Sequence, residues 1–166
     1  WTTTVAADVR AGQLTGARAL LFTKERLHLV DTHDGRSVGA ALPMPPRARV
    51  LAAEGRYAVV GEGGGRLAFV DVLAGAVVAR VEGPARPVGA HVGDFAVAAL
   101  FSSGDLLHWD FDGLFLDRAR VAGRPVAVHR GAPTAPGPVV ETDAALVAYG
   151  EVEPAARYDV DVLLAA

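Results

Sequence analysis

The sequence has no cysteine, isoleucine or asparagine, and its only lysine is Lys24. The absence of cysteine excludes disulfides, thiolate metal sites and cysteine nucleophiles. No apolar run reaches about 18 residues, the length that a membrane-spanning helix needs. We therefore expect no membrane span, and the compartment stays open between cytoplasm and periplasm.

Runs of one charge sign are also missing. The 16 Lys and Arg residues and the 19 Asp and Glu residues are spread along the chain, and the formal net charge is −3. Because nucleic-acid surfaces need clustered basic side chains that neutralise phosphates, we expect no nucleic-acid partner. The 166 residues, 51% of them hydrophobic, are enough for a single domain with its own core.

Helical periodicity is scarce, because 19 Gly and 10 Pro residues interrupt the apolar pattern. Short apolar runs bounded by Gly, Pro and Asp indicate β-strands instead. Residues 67–70 are apolar on both faces of their strand, which is typical of a sheet covered on both sides. The four strands predicted around this run are 48–53, 57–61, 66–72 and 76–81.

The strand pattern repeats about every 39 residues. Asp31, Asp71 and Asp110 fall in register, and each is followed after three or four residues by a glycine: Gly35, Gly75 and Gly113. Repeats of this length with several short strands predict an all-β propeller of roughly four four-stranded blades. The predicted units of this single domain, 1–166, are 8–42, 48–81, 88–121 and 125–166.

The fourth unit is the weakest copy. Ala145 and Asp159 both follow their counterparts in the third unit by 49 residues, which predicts an insertion of about ten residues in the Pro-rich stretch 131–140. This register makes 157–164 a third strand, while 1–5 is predicted to be a fourth strand. Two alternatives follow: either 1–5 completes the last blade and closes a four-bladed ring, or the chain is a slice of a longer propeller.

Two segments carry a resemblance to known propeller families. The stretch "GDLLHWDFDG" (104–113) resembles the third strand of a tryptophan-aspartate repeat, with the dipeptide at Trp109 and Asp110. The stretch "LVDTHDGRSVGAAL" (29–42) resembles the Asp-x-x-x-Gly-x-Val strand pair of YVTN-type propellers. The Gly-His dipeptide of tryptophan-aspartate repeats is absent, so the resemblance implies the architecture and not that family's His-to-Asp hydrogen bonds.

A phosphate-binding loop is one interpretation of the glycine stretch 61–65. A phosphate loop leads from a strand into a helix, but residues 66–72 are predicted to be another strand. We therefore interpret 61–65 as a hairpin turn in which glycine supplies positive φ. The repeated aspartates are likewise predicted to start turns by accepting hydrogen bonds from their own backbone.

Other residues capable of chemistry do not form a known catalytic pattern. The histidines lack metal-binding spacing. His28 and His108 on third strands could approach a shared channel, but the more usual interpretation is that they are hydrogen-bonded core or rim histidines. Period-two carboxylates could flank a sugar, as in glycosidases, or discourage aggregation at an exposed edge. The carboxylate pairs are Glu151/Glu153 and Asp159/Asp161, and the three serines, Ser37, Ser102 and Ser103, lie in no nucleophile elbow. We predict no metal site, no cofactor and no assigned catalytic residue.

Basic residues near predicted turns are the best binding candidates. In a propeller, the turns between second and third strands share one rim with the loops that join blades. The residues placed there are Lys24, Arg26, Arg47, Arg66, Arg86 and Arg124. The predicted function is a non-catalytic module that binds a protein partner through this rim or completes a larger propeller. The alternative, implied by the resemblance, is a segment of a YVTN-like periplasmic enzyme, redox or hydrolytic, with its site on the central channel.

Overall fold

The structure, a computed structural model, describes residues 9–131 and 137–153. These residues form four antiparallel sheets that follow one another along the chain, and they contain no helix. In each sheet the strands lie side by side in chain order, as in a meander. The predicted all-β class is thereby confirmed, and the described residues form four successive sheets of three or four strands.

The strands of the first two sheets are β1 (Ala11–Thr15), β2 (Arg18–Phe22), β3 (Arg26–Asp31), β4 (Leu42–Pro43), then β5 (Arg49–Glu54), β6 (Tyr57–Gly63), β7 (Arg66–Asp71) and β8 (Ala76–Glu82). The third and fourth sheets contain β9 (Pro87–Val92), β10 (Val97–Phe101), β11 (Asp105–Trp109), β12 (Phe115–Arg120), then β13 (Pro125–Arg130), β14 (Pro138–Thr142) and β15 (Leu146–Ala148). The second sheet agrees with its four predicted strands to within two residues at each end.

The fourth sheet corrects the predicted register of the last repeat. Its third strand is β15, which pairs with β14. The third strand predicted at 157–164 is therefore misplaced, and that segment lies outside the described residues. The reason is that the chain between β13 and β14 is only a few residues longer than the turn between β9 and β10, so no ten-residue shift exists. The matches at Ala145 and Asp159 were coincidental. The predicted fourth strand at 1–5 also lies outside the described residues.

The core consists of layers between neighbouring sheets. Along β7, Ala68 and Val70 pack into the layer shared with the first sheet, whereas Leu67 and Phe69 pack into the layer shared with the third. All four side chains are completely buried. This is the arrangement that the doubly apolar strand predicted, since each face of a middle sheet is covered by a neighbour.

Aromatic side chains fill the layer between the second and third sheets. Trp109 makes edge-to-face contacts with Phe69 and Phe101, with ring centroids 6.2 and 6.3 Å apart. Tyr57 and Phe111 stack across the same layer with centroids 4.0 Å apart. Buried aromatic pairs of this kind add stability beyond the area that they bury.

The first strand of each sheet lines a central channel. One cavity of about 210 Å³ is bounded by residues from all four first strands, among them Gln13, Glu54, His91 and Arg130. We call it the channel cavity. The later strands of each sheet therefore lie progressively farther from the channel.

The turns divide between two ends of the molecule. We call loop rim the end that carries the turns between second and third strands and the loops between sheets. Backbone hydrogen bonds join these two kinds of segment at regular positions. The Gly83 N–H donates to the Gly65 carbonyl at 3.0 Å, and the Val121 N–H donates to the Gly104 carbonyl at 2.8 Å. The remaining turns form the opposite rim.

Candidate interaction surface

The glycine stretch 61–65 is a hairpin at the loop rim, as predicted. Strands β6 and β7 pair directly on either side of it, and no helix follows. Gly63 and Gly64 have φ values of 102° and 60°, which side chains with a Cβ rarely adopt. Gly65 lies so close to the next loop that a Cβ on it would clash with the Gly83 carbonyl oxygen. The conformation of this turn is therefore constrained both by the positive φ values of Gly63 and Gly64 and by the close approach of the Gly83 loop.

The repeated aspartates lie at the opposite rim and start turns there, as predicted. Each carboxylate accepts hydrogen bonds from backbone N–H groups two to four residues later, which starts the turn between the third and fourth strands. The donors are the N–H groups of His33 to Asp31 at 2.7 Å, Leu73 and Ala74 to Asp71 at 2.9 Å, and Asp112 and Leu114 to Asp110 at 3.0 and 2.7 Å. Arg18 and Arg56 also form ion pairs with Asp31 and Asp71. These carboxylates are structural.

All six predicted binding residues lie at the loop rim, and all are exposed. Lys24 lies in the turn before β3, Arg26 is the first residue of β3, and Arg66 is the first residue of β7. The remaining three lie in loops between consecutive sheets: Arg47, Arg86 and Arg124. The structure brings four of the six into two cavities and leaves Lys24 and Arg124 outside both.

The first cavity, which we call the arginine cavity, has a volume of about 420 Å³. Its lining includes Arg47, Arg49 and Arg86 together with Gly63, Gly64 and Pro87. Arg49 Nη2 donates a hydrogen bond to the Pro87 carbonyl at 3.2 Å, which links the second sheet to the third. Among the described residues, no carboxylate lines this cavity, and none of its three arginines forms an ion pair.

The second cavity, which we call the mixed-charge cavity, has a volume of about 540 Å³ and lies on the other side of the same glycine turn. It contains Arg26, Arg66 and Arg80, but also Glu25 and Glu62. Glu62 is only 6% exposed and accepts a hydrogen bond from Arg80 Nε at 3.1 Å. Two carboxylates therefore lie among the three arginines of this cavity, and one of them forms an ion pair with Arg80.

Sequence reasoning missed Arg49, Arg80 and Glu62. The Arg47–Arg49 spacing of two was the available signal for the first, because two residues two apart at a strand start share one side. No such signal exists for Glu62 and Arg80, which are 18 residues apart and meet through the register of β6, β7 and β8.

A second buried carboxylate, Asp105, also escaped prediction. Its side chain is 2% exposed and accepts hydrogen bonds from Ser103 Oγ at 2.6 Å, Arg118 Nη2 at 2.7 Å and Arg120 Nη1 at 3.1 Å. The Ser103 hydroxyl and then the two guanidinium groups outweigh the effect of burial and lower the pKa of Asp105 to about 2. The carboxylate anchors β12 to the turn that precedes β11.

The channel cavity holds one imidazole beside an ion pair. Arg130 Nη1 lies 3.0 Å from Glu54 Oε1, so these two charges offset each other. Burial lowers the pKa of His91, and the nearby Arg130 charge acts in the same direction against the Glu151 and Glu54 carboxylates. His91 is therefore neutral near pH 7. His28 and His108, the two histidines considered for a shared channel, lie on third strands and do not line this cavity.

Of the remaining carboxylate candidates, Glu151 has a structural contact and Glu153 is exposed. Glu151 Oε1 accepts a hydrogen bond from the Asp94 N–H at 2.9 Å and so holds the turn between β9 and β10. Residues 159 and 161 are not among the described residues. Within 9–131 and 137–153, no group of three or more His, Asp or Glu side chains is arranged to hold a metal ion. The same segments contain no helix long and apolar enough to cross a membrane.

The chain matches no protein-family model and no curated protein. Its fold, by contrast, is similar to many solved structures. BamB from Moraxella catarrhalis has a TM-score of 0.59 and 8% identity, over 79% of this chain and 39% of that one. The designed Ika4 protein has a TM-score of 0.68 and 12% identity, over 89% and 93%. The WD40 domain of SCAP from fission yeast has a TM-score of 0.61 and 14% identity, over 90% and 43%.

These similarities confirm the predicted β-propeller repeat architecture. The identities are low, so what is shared is the fold alone. The chain spans less than half the length of BamB and of the SCAP domain.

Proposed function

We propose that this β-propeller chain is a non-catalytic interaction module that binds an acidic surface of a protein partner through its loop rim. The partner is either a separate protein or further propeller blades. The proposal rests on one observation, which is where the unpaired arginines lie. Among the described residues, the arginines that form no ion pair are Arg10, Arg26, Arg47, Arg49, Arg66, Arg86 and Arg124, and each lies at the loop rim.

The other described arginines all pair with carboxylates: Arg18, Arg36, Arg56, Arg80, Arg118, Arg120 and Arg130. Half of the described arginines thus pair with carboxylates of the same chain, and the other half have no carboxylate partner and lie at one end of the molecule. This division favours a recognition role for the rim, because a guanidinium group matches a carboxylate with two parallel hydrogen bonds.

The rim also presents its side chains from a fixed backbone. Its turns are tied to the loops between sheets by the backbone hydrogen bonds at Gly65 and Gly104. A rigid frame lowers the entropy that a binding surface loses on association. We therefore expect the arginines to act with little rearrangement of the loops.

The test is partner capture with matched variants. The wild-type chain, a variant with Arg26, Arg47, Arg66 and Arg86 changed to Ala, and a variant with the same four changed to Lys are used as cross-linking baits in lysate of the source cells. Captured proteins are identified by mass spectrometry, and binding of the purified partner is then measured as a function of salt. Arg36→Ala, on the opposite rim, is the control.

We expect the alanine variant to lose the partner, the lysine variant to retain part of the binding and Arg36→Ala to bind like wild type. Binding should weaken as salt rises, because the contacts are electrostatic. Undiminished binding by a folded alanine variant contradicts the rim assignment.

A further inference from the structure

We propose that the arginine cavity is a binding site for a phosphate monoester. The proposal goes beyond the proposed function and is independent of it, since it needs no protein partner. It rests on three guanidinium groups that share one cavity of about 420 Å³ with a glycine wall and without a carboxylate among the described residues. That volume is in the range of small-ligand sites.

The charge of the cavity favours an anion with more than one negative charge. Arginine stays protonated in proteins, so Arg47, Arg49 and Arg86 cannot relieve their mutual repulsion by losing protons. Elsewhere in the described chain, neighbouring arginines share a carboxylate, as Arg118 and Arg120 share Asp105. A phosphate monoester carries about −1.5 to −2 charge at pH 7 and offers several acceptor oxygens, which suits three guanidinium groups better than one carboxylate does.

Hydrogen bonds hold two of the three arginines of the cavity in place. Arg49 is oriented by its hydrogen bond to the Pro87 carbonyl, which uses Nη2 and leaves the other guanidinium N–H groups for a ligand. Arg86 starts from a fixed backbone, because its carbonyl accepts a hydrogen bond from the Ser102 N–H at 2.9 Å. Arg47 lies in the loop before β5 and lines the same cavity.

The glycine wall leaves space for the anion to approach the main chain. Gly61, Gly63 and Gly64 project no side chain into the cavity. Successive backbone N–H groups in a turn form concavities that favour anions. Gly63 and Gly64 therefore serve the hairpin and also provide the wall of the site, whereas the charge comes from arginines on other segments.

The experiment is an NMR titration of the full chain, labelled with ¹⁵N, that follows the amides of Gly63 and Gly64 and the arginine Nε–H signals. The probes are inorganic phosphate, phenyl phosphate and a short peptide containing phosphoserine, with sodium chloride at matched ionic strength as the reference. We expect saturable shifts with the phosphate probes and not with chloride. The probe that saturates at the lowest concentration identifies whether the phosphate is free, on a small molecule or on a peptide.

Variants assign the effect to the cavity. Arg47→Ala and Arg86→Ala should each weaken binding by about tenfold or more, the usual effect of losing a hydrogen bond to a charged group. Arg66→Ala should change it by less than about twofold, because Arg66 lines the mixed-charge cavity and not the arginine cavity. Unchanged signals elsewhere in the spectrum show that the variants are folded. The proposal is overturned if phosphate acts no differently from chloride, or if Arg66→Ala weakens binding as much as Arg86→Ala.

Discussion

The arginine cavity and the mixed-charge cavity lie side by side on the loop rim, separated by one glycine turn. Each contains three arginines, but only the mixed-charge cavity contains carboxylates, at Glu25 and Glu62. Two cavities with the same arginine content therefore have different chemistry. The number of arginines alone therefore does not indicate an anion-binding site. What matters is whether a carboxylate of the same chain lies close enough to pair with them.

The difference also shows how the fold uses arginine. Glu62 is almost fully buried, and a buried carboxylate without a partner is costly, so Arg80 is needed where it is. In the described part of the chain, no buried carboxylate forms an ion pair with Arg47 or Arg86. Arginines in the first cavity are consequently available to a ligand, and Arg80 in the second is not.

The largest expected effect comes from breaking the turn that separates the cavities. In Gly65→Ala the new Cβ would clash with the Gly83 carbonyl oxygen, and backbone must move to admit it. We expect a loss of roughly 2–3 kcal/mol in the free energy of unfolding, in the range for overpacked sites. Urea denaturation measures it. Gly150→Ala is the control, because a Cβ there meets no atom within 4 Å, and equal stability of the two variants contradicts the account.

The next effect tests carboxylate pairing in the third sheet. The folded-state pKa of Asp105, about 2, is below its ordinary value of 3.8, so its contribution is present above pH 4 and is lost as the pH falls from about 4 to 2. The contribution is on the order of 1–2 kcal/mol. Denaturation at several pH values should show wild type more stable than Asp105→Asn at pH 6, with the gap closing toward pH 2. A gap that is constant with pH contradicts this.

Removing the charge of Glu62 should have a smaller effect on stability and should make the mixed-charge cavity resemble the arginine cavity. Glu62→Gln keeps the shape of the side chain but removes the charge that balances Arg80. We expect a loss of about 1 kcal/mol in stability, because a hydrogen bond to a charged group is weakened. We also expect the mixed-charge cavity to gain phosphate binding, seen as new shifts at the Arg66 and Arg80 Nε–H signals. Absence of those shifts in a folded variant means that pairing does not decide the difference.

The smallest effect concerns a buried base that, unlike arginine, can lose its proton. Burial lowers the pKa of His108, with His91 acting in the same direction and Asp117 against it. The folded protein therefore binds fewer protons than the unfolded chain, and stability falls as the pH drops below about 6.5. His108→Leu should reduce that slope between pH 7 and 5, whereas His33→Ala, which is exposed, should leave it unchanged. Thermal unfolding measures both.

Much of the fold could be predicted from sequence because the repeat is carried by local chemistry. The backbone hydrogen bonds that Asp31, Asp71 and Asp110 accept in their turns come from the next few residues, so this pattern is visible in the sequence. The doubly apolar run at 67–70 reflects the two layers that it enters. The third strand of the fourth sheet was misplaced because no aspartate turn signal follows β15 within the described residues, so the register depended on a chance match.

The candidate surface was predictable only in part. The rim position of Arg26, Arg47, Arg66 and Arg86 follows from the order of strands and turns. Their separation into two kinds of cavity depends on Glu62, which reaches Arg80 through the pairing of three strands. Such a contact has no fixed spacing in sequence, so a residue's availability for binding became visible only in the structure.

The hydrogen bonds that tie the loops of the rim to its turns have a consequence for how the surface changes over time. They run between main-chain atoms: Met44 N–H to the Glu25 carbonyl, Gly83 N–H to Gly65 and Val121 N–H to Gly104. A main-chain bond survives most substitutions at its own position, except those to proline or those for which there is no room. Side chains at the rim can therefore be substituted one at a time during evolution while the backbone conformation of the rim is retained. A new binding specificity can arise in this way without a new fold.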